Sequence, residues 1–163
     1  GLPSSGLHTN GYSLARKVFF DIGGYAVETY LESLGSTVGD TLLEPHINYT
    51  NHVLSVLETG EDIKGIAHIT GGGLTENVPR ILPEGCSVSI SRGSWPGLPV
   101  FDTIKELGNI DVEEMYRAFN MGIGMVFIVD KTSSNAIANS LKGITPVYEI
   151  GEVTEGDNLT RYI

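Results

Sequence analysis

Cysteine is nearly missing from this chain. Cys86 stands alone, so no internal disulfide can form, and no cysteine–histidine cluster surrounds it in the pattern of a structural zinc site. Long apolar runs are missing too: none approaches the roughly 20 residues that a membrane-crossing helix needs. No basic-then-apolar leader is recognisable either. Positive charge is scarce, with 10 Lys and Arg against 20 Asp and Glu and a net charge of −10. Nucleic-acid binders draw much of their affinity from neutralising phosphates, so that class of partner is set aside, as is a membrane. The deficit does not exclude a small phosphorylated metabolite, because backbone N–H groups at helix starts hold phosphate with little regard to net charge. Gly-x-Ser-x-Gly, His-Glu-x-x-His, Gly-x-Gly-x-x-Gly and P-loop fingerprints are absent as well. A reducing, cytoplasmic setting is the expectation, and the sequons at Asn48 and Asn158 then read as chance.

What is present is ordinary for a globular domain: 163 residues, 40% of them hydrophobic and 18% charged. That length allows one domain with a real core. Helical spacing marks 10–21, closed by Gly23-Gly24, then 25–34 through Val27, Tyr30, Leu31 and Leu34, and 48–58. A loop is expected at 35–39. After that, strands and helices alternate. Strands are expected at 66–69, 87–91 and 125–129, and late strands at 147–153 and 159–163 are expected to pair. Helices are expected at 74–82 with an interruption at Pro79, at 100–107, at 111–118 behind Asp111, and at 133–141. The expected fold is α/β or α+β: one mixed β-sheet flanked by helices in three layers.

Three stretches combine glycine with polar side chains. Ser4-Ser5-Gly6-Leu7-His8-Thr9-Asn10-Gly11 precedes a helix, where unpaired N–H groups suit phosphate, although a plain polar loop and N-cap would look the same. His68-Ile69-Thr70-Gly71-Gly72-Gly73 ends a strand, where ligands of α/β folds gather, although a tight turn with His68 in the core fits equally. Phe119-Asn120-Met121-Gly122-Ile123-Gly124-Met125 leads into the apolar strand, either facing a ligand through Asn120 or using its glycines for close packing. His46 and His52 lack a carboxylate or cysteine at ligand spacing and read as surface or core residues. No metal ligand is assigned.

These three stretches, in this order, resemble the aminoimidazole ribonucleotide synthetases, or phosphoribosylformylglycinamidine cyclo-ligases. The triple glycine continues as Leu74-Thr75-Glu76-Asn77-Val78-Pro79-Arg80, and Ser94-Trp95, Pro99-Val100-Phe101 and Glu114-Met115 fit the same family between the motifs. The likeness covers nearly the whole chain. It implies that residues 1–163 form a single domain, the C-terminal half of a two-domain homodimeric enzyme whose N-terminal half carries much of the ATP site; the start at Gly1 without a Met is read the same way. Related families include selenophosphate synthetase and formylglycinamide ribonucleotide amidotransferase, and either, or a non-catalytic nucleotide-binding domain, is the alternative. One departure stands out: Pro45-His46-Ile47-Asn48-Tyr49 lacks an arginine that the family usually carries there.

The resemblance implies ATP-dependent ring closure of formylglycinamidine ribonucleotide to aminoimidazole ribonucleotide, with Mg²⁺ held mainly by the other half and the isolated domain inactive. His8 and His68 are the expected proton-transfer residues, since imidazole titrates near neutrality. Ser4, Ser5, Gly6, Asn10, Gly11, Thr70, Gly71, Gly72, Gly73 and Asn120 are expected to contact substrate.

Overall fold

A computed structural model describes residues 1–163. Its centre is the antiparallel sheet β1 (Leu2–Pro3), β6 (Ile123–Val129) and β4 (Ile63–His68), with β6 in the middle. Strand β6 is apolar throughout because both of its faces are covered. Met125, Phe127 and Val129 pack with Leu2, Val56, Ile137 and Leu141 beneath α3 (Thr50–Leu57) and α7 (Ser134–Ser140). Val126 and Ile128 face the other way, towards Ala67, Leu74, Val88 and Ile90.

That second cluster joins the central sheet to a smaller one, in which β5 (Cys86–Ile90) lies between β7 (Gly151–Glu155) and β8 (Thr160–Tyr162). Strand β5 runs antiparallel to β7 and parallel to β8, so this sheet is mixed. A third cluster of Ala15, Val18, Phe19, Phe101, Ile104, Met115 and Phe119 holds the helical layer. It comprises α1 (Tyr12–Arg16), which widens into a π-helical turn over Lys17–Ile22, with α2 (Val38–Leu42), α5 (Pro99–Gly108) and α6 (Val112–Ala118). Asp111 caps α6 by accepting the Glu113 N–H at 2.8 Å. The mixture of helices and mixed-sheet strands is the expected one, spread over small sheets flanked by helices.

Three local expectations fail, the plainest being the loop at 35–39, where Ser36–Thr37 is a strand and Val38 opens α2. Residues 25–34 form no helix; Tyr30–Leu31 (β2) and Ser36–Thr37 (β3) make a short hairpin, turned at Gly35 with φ +67°. The backbone there bonds across the hairpin, Val38 N–H to Thr29 C=O at 2.9 Å and Gly39 N–H to Val27 C=O at 2.8 Å. Of the expected helical face, Leu31 and Leu34 still pack against the helical cluster while Val27 and Tyr30 stay half or more exposed, so the bonds across the hairpin rather than the periodicity decide the conformation. The two late strands, in turn, do not pair with each other, because β5 lies between them.

Candidate functional site

The loop of residues 4–11 is anchored from beneath by Asn120, which is fully buried. Asn120 Oδ1 accepts the Ser4 hydroxyl and the Gly122 N–H, both at 2.8 Å, and its Nδ2 donates to the Gly6 carbonyl at 2.8 Å. Ser4 and Asn120 thus satisfy each other inside the protein. Ser5, nearer the surface, donates from Oγ to the Pro45 carbonyl at 2.7 Å. Asn10 donates from Nδ2 to the His8 carbonyl at 2.8 Å and turns its Oδ1 towards Gly71, 4.0 Å from where a Cβ would stand. The first and second stretches therefore face each other. Three of the five non-glycine residues with left-handed backbone, His8, Thr9 and Met121, lie in these loops, so local strain is concentrated here.

Strand β4 ends at His68 and delivers the chain into the triple glycine, which opens α4 (Gly73–Asn77). Gly73 is required by packing: with φ +57°, a Cβ would meet the Tyr116 carbonyl oxygen at 2.1 Å. Gly71 is open, and the N–H groups of Gly71 and Gly72 bond to nothing within the chain. The turn is held by Asn77, whose Nδ2 reaches the carbonyls of Gly73 at 2.8 Å and Gly71 at 3.1 Å, while its Oδ1 accepts the Thr70 hydroxyl at 3.0 Å. Asn77 thus takes up carbonyls of the turn, while the N–H groups of Gly71 and Gly72 stay unpaired as donors. This is a donor set suited to an anion.

Between the two loops lies a group of rings. His8 is buried, 1% exposed, and stacks on His46 with centroids 4.1 Å apart. His46 Nε2 lies 3.1 Å from His68 Nε2. His8 Nε2 receives the Ser5 N–H at 3.0 Å, which makes it an acceptor and puts the proton on Nδ1, where no partner exists. Burial, followed by the neighbouring His46 and His68, pushes His8 down to about 4, so it is neutral at pH 7. Partial burial and His46 lower His68 in the same direction. Tyr49 packs its ring against His46 and His68 and donates its hydroxyl to the Pro3 carbonyl at 2.6 Å. His46, Ile47, Tyr49, His68 and Met125 line an open depression beside α3.

The structure thus brings together the Ser5, Asn10 and Gly71 side of the loops with His68, and sets Ser4, His8 and Asn120 beneath them. His46, Tyr49 and Asn77 belong to the same assembly, although sequence reasoning had passed over them as functional residues. His46 carried one visible signal, since it lies in the segment that departs from the family pattern. No three His, Cys, Asp or Glu side chains converge to hold a metal. Imidazoles suit Mg²⁺ poorly, since that ion takes oxygen ligands, so the residues here do not fit it.

Comparison with known proteins agrees with this picture. The family model for AIR synthase related protein, C-terminal domain, matches residues 1–163. A phosphoribosylformylglycinamidine cyclo-ligase of Caldanaerobacter subterraneus subsp. tengcongensis is 51% identical over 158 residues, which is 96% of this chain and 46% of that protein. One from Bifidobacterium longum subsp. infantis is 44% identical over 165 residues, covering 100% of this chain and 48% of the relative. The chain therefore spans about half the length of the curated relatives it matches. Among solved structures, E. coli HypE, a hydrogenase maturation protein, superposes with a TM-score of 0.60 at 21% identity, over 99% of this chain and 45% of its own. That likeness shows the fold.

Proposed function

The chain belongs to the family of AIR synthase related proteins, as their C-terminal domain, and from that premise we propose that it is one half of a cytoplasmic, homodimeric cyclo-ligase. The reaction is ATP-dependent closure of formylglycinamidine ribonucleotide to aminoimidazole ribonucleotide, a step of purine biosynthesis. The observation that carries this reading is the 44–51% identity to relatives of that name along nearly the whole chain.

The chemistry needs three things of the protein. An amide oxygen leaves poorly, so it first takes the γ-phosphoryl group of ATP and can then depart as phosphate. The amidine nitrogen attacks the activated carbon, forming the C–N bond and shedding a proton. Positioning, an anion-binding surface and a proton acceptor are therefore required. In this reading the unpaired N–H groups of Gly71 and Gly72 form the anion-facing surface, with Asn10 opposite Gly71 and with Ser5, Gly6, Gly11 and Thr70 contributing from the same two loops. His68, on the rim of the depression, is the proton acceptor. His8, Ser4 and Asn120 support the site from below, with His8 kept neutral by burial. Mg²⁺ serves to neutralise phosphate charge when bound, and its ligands are assigned to the remainder of the full-length protein.

The test is ADP release by the full-length protein with and without formylglycinamidine ribonucleotide. Dependence on that substrate, with aminoimidazole formed, is the expected result. Equal release in both arms would remove the protein from the cyclo-ligases. Within the site, His68→Ala is expected to lower kcat by about 10²-fold or more, the range of general acid–base catalysis, and Asn10→Ala to raise KM. Unchanged turnover in the first, or unchanged KM in the second, would refute the corresponding role.

A further inference from the structure

Two histidines meet in the depression through the same ring atom. His46 Nε2 and His68 Nε2 are 3.1 Å apart, with the rings tilted by 50°. At that separation two lone pairs repel each other, and so do two N–H groups. One proton between the rings satisfies both. His46 is held flat from the inner side by the stacked ring of His8, with an interplanar angle of 15°. His8 stays out of the exchange, because its Nε2 already accepts from Ser5.

The other groups facing the pair are Tyr49, edge-on to both rings, and His52, which packs against Tyr49 at 5.6 Å. Tyr49 spends its hydroxyl proton on the Pro3 carbonyl. No carboxylate is among these neighbours. The surroundings can therefore accept one positive charge shared by two rings but offer nothing to balance a second.

We propose that His46 and His68 act as one acid–base unit that shares a single proton across the Nε2···Nε2 contact, with His46 as the positioning residue. In this unit His68 carries its proton on Nε2 and donates it to His46, which leaves the lone pair of His68 Nδ1 to take a proton from the ligand. The resulting imidazolium is stabilised by its charge-assisted bond to His46. The identity of the proton rests on the cyclo-ligase reading: it is the one shed by the amidine nitrogen as the C–N bond forms, while phosphate leaves with the electrons of the C–O bond.

The experiment is a titration of ¹⁵N-histidine-labelled full-length protein from pH 4 to 8, followed at the ring nitrogens of His68, alongside the pH profile of kcat. It compares the wild type with His46→Gln and His46→Ala. In the wild type His68 shows two inflections, because the pair takes its first and second protons in separate steps. His46→Gln keeps a hydrogen-bonding neighbour but cannot share charge, so one inflection remains. His46→Ala also mixes the His68 tautomers. In both variants the acid limb of the kcat profile moves and kcat falls roughly tenfold, part of what general acid–base catalysis supplies, while KM changes little. A single wild-type inflection unaltered in His46→Gln overturns the proposal. So does a two-step titration with a kcat profile that His46→Ala leaves in place. The titration needs no substrate, so two inflections in a protein that fails to close the ring would overturn the cyclo-ligase reading and leave the pair standing.

Discussion

Replacing Asn120 by alanine removes a buried knot on which the loop of residues 4–11 depends. Three bonds are lost at once: those from Ser4 Oγ and Gly122 N–H to Oδ1, and that from Nδ2 to the Gly6 carbonyl, all at 2.8 Å. Each partner is left in a region closed to water, since Asn120 is 0% and Ser4 4% exposed. A buried polar group stripped of its partner costs about 1–3 kcal/mol. The Ser4 hydroxyl can rotate, and a water can enter the space left behind, so the low end applies to part of the sum. We expect a total of about 3–5 kcal/mol. In urea, with a slope near 2 kcal/mol per molar, the unfolding midpoint drops by roughly 1.5–2.5 M at an unchanged slope. Asn120→Asp retains the acceptors for Ser4 and Gly122, and its neutral carboxyl can still donate its O–H to the Gly6 carbonyl, so it falls between alanine and wild type. A midpoint shift below about 0.5 M for alanine would refute the argument, and would mean that Asn120 is free to face a ligand.

The packing of the same loops has further consequences. Gly73→Ala drives a Cβ into the Tyr116 carbonyl and should cost more than about 3 kcal/mol by thermal unfolding, whereas Gly71→Ala, with open space before it, should leave stability within about 0.5 kcal/mol and act on substrate KM alone. Asn77→Ala releases the carbonyls of Gly71 and Gly73 and should destabilise by about 2–3 kcal/mol, measured by urea unfolding; loss of less than about 0.5 kcal/mol would show the turn to be self-supporting. His8 titrates near 4 when folded and near 6.5 when unfolded, so the unfolded chain binds the extra proton between those values. Stability should therefore be full above about pH 6.5 and fall as pH drops towards 4, and His8→Gln should flatten that part of the curve; an unchanged slope would refute the burial argument.

What the sequence determined by itself was whatever depends on neighbours along the chain. The run 125–129 reads as a strand because every position in it is apolar, and the structure extends it back to Ile123 and packs layers on both of its faces. The segment from Asp111 announces a helix through its cap, and the triple glycine after His68 announces a turn at a strand end. The motif order also carried the family, because Gly71-Gly72-Gly73 with Glu76-Asn77-Val78-Pro79-Arg80 is a specific string. Tertiary structure alone decided the rest. Residues 25–34 have helical spacing, but their backbone finds partners across a hairpin from which Leu31 and Leu34 still reach the core. Strand order could not be read from hydropathy, since pairing is a long-range choice, and β5 came to lie between the two late strands. His46 looked unremarkable because chemistry at a histidine depends on what stands within hydrogen-bond reach. Only the folded chain brings residue 46 between residues 8 and 68, which lie 38 positions before it and 22 after.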